Sequence, residues 1–199
     1  MNEPLTLRER NRRDAWLAIH DAAAELALQH GLALTTVEMI AERVGISRRT
    51  FFNYFASKED AVLGVQEIVV PEDALTEFRR DRSAPLLERT VRLMAALLRT
   101  TTPEPHIRQR RTELVEAIPE LHRRMRQVAL SAEELLEPIL LEELGDSVDS
   151  EAGVQMLLML AGTVLRYAYR QDPHSVTCGD DRFVQSALGA FRAAAAVHA

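Results

Sequence analysis

The chain has 199 residues, of which 47% are hydrophobic and 27% charged, with a formal net charge of −6. This length and composition exclude a disordered chain and are enough for a real hydrophobic core. The negative balance excludes a protein that coats nucleic acid indiscriminately, since such coating needs cationic charge over the whole surface.

Glycine and proline punctuate a chain that otherwise reads as helix, with no repeat and no convincing strand pattern. The spacing predicts a first helix over Leu7–His30. Trp16, Ile19, Ala23 and Leu26 fall on one face of it, and Gly31 is its stop. Arg8, Arg10, Arg12 and Arg13 crowd its start. No apolar segment with a cleavage site follows them, so this is not the pattern of a signal peptide. A short second helix is expected over Thr36–Val44, with Thr35 and Glu38 as a capping box. Val37, Ile40, Ala41 and Val44 form its buried face. Gly45 sits where a tight interhelical turn needs a left-handed backbone. Ser47 caps a third helix running to Phe55, and Ser57 with Asp60 opens a fourth, expected to reach Val70 before Pro71.

Later helices are expected near Ala84–Thr101, Pro105–Ala117, Pro119–Leu144, Ser150–Gln171 and Asp180–Val197. Pro138 should kink or split the one that contains it. The longest apolar run, Met156–Leu165, is too short to span a bilayer, which takes about 20 residues. Cys178 is the only cysteine, so no intramolecular disulfide forms, and a cytoplasmic setting is expected.

Three short helices with a glycine turn before the third make a helix-turn-helix, whose third helix enters the major groove. Ser47–Lys58 carries Arg48, Arg49 and Lys58 and no acid, which makes a basic face on an acidic body. On the third helix Phe51 and Phe55 can pack inward. Arg48, Arg49, Thr50, Phe52 and Asn53 are then left for the groove, where arginine reads guanine, asparagine reads adenine, and a methyl or phenyl group meets a thymine methyl. The helix dipole favours phosphate near Thr36 and Ser47.

The run TTVEMIAERVGISRRTFFNYFASKEDAV resembles the DNA-binding signature of the TetR family of regulators. The matching positions include Gly31, Thr36, Ile40, Ala41, Gly45, Ser47, Thr50, Tyr54, Phe55, Lys58 and Glu59. The resemblance implies DNA contacts at Thr36, Ser47, Arg48, Arg49, Thr50, Phe52, Asn53, Tyr54 and Lys58. Phe52 departs from the family's common tyrosine, and Glu38 stands where some members place a base. Lys58 is the only lysine in a chain that otherwise uses arginine, and it falls where the family places a phosphate contact.

The resemblance also implies the architecture. The fold is all-α, with a three-helix DNA-binding domain over 8–56 (its helix-turn-helix motif at about 36–55) and a helical ligand-binding and dimerisation domain over 57–199. Expected pocket residues are Leu93, Met94, Leu97, Arg123, Met125, Leu136, Met156, Met159 and Tyr167, although a methionine at helical spacing is more often plain core. The helix Ser150–Gln171 is apolar nearly all round and must be covered on both sides. A dimer interface is expected at Leu158, Leu165, Phe183, Ala187, Leu188 and Phe191.

The arginines between Arg108 and Arg126 read either as a solvated face paired with Glu113, Glu116 and Glu120, or as a phosphate-binding cluster. The solvated face is the default reading; a similarity of Ser47–Ala61 and His106–Met125 to regulators of acyl-CoA-like ligands, including mycofactocin-associated ones, implies the phosphate reading as the sharper alternative. No P-loop, GxGxxG, CxxC or HExxH is present, and the six histidines lack metal-ligand spacing. Neither an enzyme, a metal site nor a cofactor is therefore expected. The expected protein is a ligand-responsive repressor whose partners are operator DNA, a second copy and a small-molecule effector, with no membrane. A dimeric adaptor that binds only protein is the alternative.

Overall fold

The computed structural model describes residues 6–102, 104–145, 150–171 and 181–196. Among these are ten α-helices and no strand: α1 Leu7–His30, α2 Val37–Val44, α3 Arg48–Phe52, α4 Lys58–Leu63, α5 Glu72–Arg80, α6 Leu86–Thr100, α7 Pro105–Ala117, α8 Leu121–Leu144, α9 Ser150–Gln171 and α10 Asp181–Ala196. The chain divides into two compact units. One comprises Met1–Gln66 with Arg110–Arg124, the other Glu67–Gln109 with Met125–Ala199. Cys178, His174 and the Pro173–Gly179 stretch lie outside the described residues.

In the first unit, α1 begins with a closed capping box. Thr6 Oγ1 accepts from the Glu9 amide, and the Glu9 carboxylate accepts from the Thr6 amide at 2.8 Å. That backbone bond holds the Glu9 carboxyl below its usual range. Trp16, Ile19, Ala23 and Leu26 are buried together, as their spacing predicts. The start of α2 differs from expectation. Its N-cap is Thr36, whose hydroxyl accepts from the Met39 amide at 3.2 Å. Thr35 is instead fully buried and donates its hydroxyl to Gly31 O at 2.9 Å. Glu38 is therefore one place too early for a capping box, and its carboxylate is left to pair elsewhere.

Gly45 takes the left-handed conformation (φ +74°) that the turn into α3 requires. Helix α3 is shorter than expected and ends at Phe52, with Asn53 as its C-cap. Phe51 and Phe55 are still both buried. Helix α4 stops at Leu63 rather than Val70. Gly64 adopts a left-handed φ of +58°, and the Val65 amide bonds back to Asp60 O at 2.9 Å, which closes the helix in a Schellman-type turn.

The second unit opens with a helix that was not among those expected. Helix α5 packs a short apolar face, Ala74, Leu75 and Phe78, against the core, with Phe78 the most deeply buried. Glu72 and Asp73 lie in its first turn and Arg79 and Arg80 in its last, matching the helix dipole. The core beyond it is built from Val91, Leu93, Met94 and Leu97 of α6, Leu136 and Leu140 of α8, Val154, Leu158, Ala161, Val164 and Leu165 of α9, and Val184, Ala187 and Leu188 of α10. Helix α8 is not split at Pro138. Pro138 and Glu134, whose carbonyl loses its partner, are both exposed, so water can supply the missing bond.

Two buried charges cross-link this unit. Arg89 donates from Nε to Phe78 O and from Nη1 to Glu143, both at 2.9 Å. Glu88 accepts from Gln185 at 2.7 Å and from Arg192 at 2.6 Å, tying α6 to α10. The Gln185 bond, ahead of the neighbouring arginines, keeps the Glu88 carboxyl below its usual range.

The structure exchanges two sets of expected residues. Leu158, Leu165, Ala187 and Leu188, expected at a dimer interface, are buried in the unit's own core. Phe191 is half-buried against that core, and the Phe183 side chain lies outside the described residues. Met156, Met159 and Tyr167, expected to line a pocket, are 58%, 63% and 47% exposed on the opposite face of α9. The physical reason is the period of the helix: 158 and 165 share one face, while 156, 159 and 167 share the other. Of the remaining pocket residues, Leu93, Met94, Leu97 and Leu136 are core, Met125 is half-buried, and Arg123 is exposed in the first unit.

Candidate nucleic-acid interface

Helix α3 has one committed face. Phe51 is fully buried, with its ring 5.4 Å from Phe52 edge-on and 6.0 Å from Phe55. Phe55 stacks on Trp16 of α1 at 5.4 Å. This aromatic column fixes how the helix is rotated, which decides the face left to solvent. On that face are Arg48, Arg49, Phe52 and Asn53, all exposed, with Thr50 and Tyr54 half-buried. Ser47 Oγ accepts from the Thr50 amide at 3.0 Å and lies 2.8 Å from the Thr50 hydroxyl.

The expected DNA-facing residues are contiguous but not equally available. Arg48 pairs with Glu38 at 3.2 Å and lies 5.6 Å over the Phe52 ring. The Lys58 Nζ donates to Leu32 O at 2.7 Å and Thr35 O at 2.8 Å. The single lysine thus ties the loop before α2 to the start of α4, one residue from the exposed N-cap Thr36. A compact ammonium can converge on two carbonyls where a planar guanidinium fork fits poorly, and one donor remains for a phosphate. Arg49 and Asn53 are exposed, and neither makes a side-chain bond to another described residue.

Helix α4 is pinned on every side within this unit. Arg124 Nε donates to Asp60 Oδ1 at 2.6 Å, and Asp60 is buried. Arg111 donates from Nε to Leu63 O at 2.9 Å and from Nη2 to Gly64 O at 3.0 Å, satisfying the helix's C-terminal carbonyls. Arg110 pairs with Asp21 of α1. In the second unit, Arg108 donates to Thr102 O at 2.6 Å. Four of the cluster's arginines, Arg108, Arg110, Arg111 and Arg124, thus hold protein atoms.

His20 is a buried residue that sequence reasoning passed over, because one histidine on an apolar helix face gives no signal. Its Nδ1 donates to Ala61 O at 2.8 Å, while Nε2 is buried with no partner. Desolvation dominates and pushes its pKa below the ordinary value, opposed by the Ala61 bond and aided by Arg110 and Arg111. Protonation would create a buried donor with no acceptor. For a histidine with a lowered folded pKa, the unfolded chain binds the proton first, so stability is full at neutral pH and lost as pH falls below about 6.5. Trp16 is the only tryptophan and stacks on His20 at 5.9 Å, so its fluorescence reports this site. Melts followed by Trp16 should shift downward on acidification, and His20→Gln should flatten that dependence. Equal pH slopes in the two proteins would refute the assignment.

Among the described residues no group of three or more His, Cys, Asp or Glu is arranged to hold a metal ion, and no helix is long and apolar enough to cross a membrane. An exposed third helix, braced by two others across a glycine turn, has the geometry of a helix-turn-helix. Residues 19–64 match the family model of bacterial regulatory proteins of the tetR family. Over 57 residues the chain is 47% identical to the HTH-type transcriptional regulator TcmR of Streptomyces glaucescens, a stretch covering 29% of this chain. That match spans 25% of TcmR's own length.

Among solved structures, NalD of Pseudomonas aeruginosa, the secondary repressor of the MexAB-OprM multidrug efflux pump, is 17% identical. That likeness covers 88% of this chain and 96% of NalD, with a TM-score of 0.44. SmeT in its triclosan complex is 20% identical over 89% of this chain and 91% of SmeT, also at 0.44. Residues 19–64 are thus similar to the DNA-binding region of TetR-type regulators.

Proposed function

We propose that the chain is a sequence-specific transcriptional regulator, a repressor that leaves its operator when a small molecule binds the second unit. The observation that carries the DNA reading is the pair Arg49 and Asn53, unpaired and exposed on a helix whose opposite face is locked by Phe51 and Phe55. Arg49 suits a guanine edge and Asn53 an adenine edge. The test is a gel shift on duplex selected by the protein from a random library. Arg49→Ala and Asn53→Ala should each cost about 1–3 kcal/mol of operator affinity, roughly tenfold or more. Unchanged affinity in both variants would favour the adaptor reading instead.

Reading two half-sites calls for a second copy of the chain. The exposed face of α9, with Met156, Met159 and Tyr167, is the surface we assign to it, because apolar side chains of this size at helical spacing gain most from being covered. Ligand control is supported by a groove of about 360 Å³ between α5 and α6, lined by Phe78, Leu93 and Ala96 between acidic Asp73 and Glu77 and basic Arg92 and Arg99. This lies within the roughly 300–1,000 Å³ of small-molecule sites. Of the residues expected in a pocket, Leu93 is the one that lines it.

An acyl-CoA-like effector would need phosphate-binding arginines. In the second unit, the exposed Arg126 is a candidate for that role. Thermal shift with acyl-CoA tests it directly, and no shift with any chain length sinks it. A coupling of about 1–3 kcal/mol between ligand and operator suffices.

A further inference from the structure

Glu38 has no role in capping α2 and no buried partner, yet its carboxylate is placed with care. It sits in the first turn of α2, where the helix dipole stabilises an anion, and its Oε1 is 3.2 Å from Arg48 Nη1 at the start of α3. Arg48 in turn lies over the Phe52 ring at 5.6 Å. All three side chains are exposed, and a pair this open to water contributes little to stability. The arrangement therefore points to what the head touches.

We propose that Glu38 is a specificity-determining residue that holds Arg48 for reading a guanine edge and denies it to phosphates. The proposal rests on the DNA reading above. A free arginine on a recognition helix swings to whichever phosphate is near, which adds affinity for any sequence. Arg48 has five N–H donors in a fixed fork. Glu38 occupies one edge and Phe52 supports one face, so the remaining edge points in one direction and can make a bidentate pair with guanine. The Glu38–Arg48 pair is also neutral overall, so it releases no counterion when set against phosphate. Glu38 thus lowers sequence-independent binding while preserving the base contact.

The experiment measures binding of the full chain to two duplexes between 50 and 200 mM KCl. One is a 30-base-pair duplex of arbitrary sequence, and the other is the operator selected by the wild type from a random library. Glu38→Gln should bind the arbitrary duplex more tightly at low salt, with the slope of log affinity against log salt steeper by about 0.9, one added phosphate contact. Its advantage over wild type should then shrink about three- to fourfold across that salt range, and its operator-to-arbitrary ratio should fall. Adding Arg48→Ala should erase the gain. Trp16 melts of Glu38→Gln should match the wild type, since the side chain is exposed. A Glu38→Gln protein with unchanged slope and ratio overturns the proposal, as does a gain that survives Arg48→Ala. If the wild type itself selects no sequence over the arbitrary duplex, the DNA reading fails and the proposal with it.

Discussion

Phe51→Ala should cost about 3–5 kcal/mol and abolish operator binding. Phe51 is fully buried, and its loss removes ring contacts to both Phe52 and Phe55. Helix α3 has only five residues and cannot persist without tertiary packing, since isolated helices of that length are unstable in water. The cavity would therefore cost more than packing energy: it would release the rotation of α3 that keeps Arg49 and Asn53 outward. Against a typical total stability of about 5–15 kcal/mol, the loss is large. The transition reported by Trp16 fluorescence should fall by roughly 12–40 °C, because Trp16 stacks on Phe55 in the same column. Phe51→Leu, which keeps most of the volume, should retain part of both stability and binding. An alanine variant with native Trp16 melting would show that the column does not brace the head.

Arg89→Ala should destabilise the second unit by a similar amount, about 3–5 kcal/mol. Arg89 is 6% exposed and bonds both Phe78 O, at the end of α5, and Glu143 of α8. Removing it leaves a largely buried carboxylate whose remaining cation, Arg82, is itself exposed, at 3.3 Å. It also orphans a helix C-terminal carbonyl in the interior. Because α5 holds to the core through only Ala74, Leu75 and Phe78, it should loosen, opening the α5–α6 groove. Arg89→Met with Glu143→Leu should recover much of the loss, because breaking a buried pair costs more than replacing it with apolar side chains. Far-UV circular dichroism melts of both variants distinguish the outcomes, and a double variant no better than Arg89→Ala would show that the charge pair is not the reason. Trp16 lies in the other unit, so its fluorescence at low temperature should be unaffected by the single substitution.

The helix-turn-helix was legible because its determinants are local. Gly45, Ser47 and Ser57 act through turns and caps that need only a few neighbouring residues, and the faces of α1 and α3 follow from a period of 3.6. The ends of α4 were less so: Gly64 was in plain view, but a helix stop competes with the apolar pattern running past it to Val70. Helix α5 gives a weak signal because it is only nine residues long and its inward face has three apolar side chains, Ala74, Leu75 and Phe78.

Caps and periodicity in the sequence suffice to predict a helical chain whose N-terminal part resembles a TetR-type head, and to predict which residues of α3 face outward. Only the tertiary structure decided which of those residues are free. Glu38, placed by a one-residue shift in the cap of α2, pairs with Arg48, and Lys58 is drawn to the carbonyls of Leu32 and Thr35. It also decided which face of α9 is core, and that Arg110, Arg111 and Arg124 grip the head. The reason is physical: caps and periodicity depend on neighbours along the chain, whereas ion pairs and burial depend on residues far apart in sequence, such as Asp60 and Arg124, that only folding brings within bonding distance.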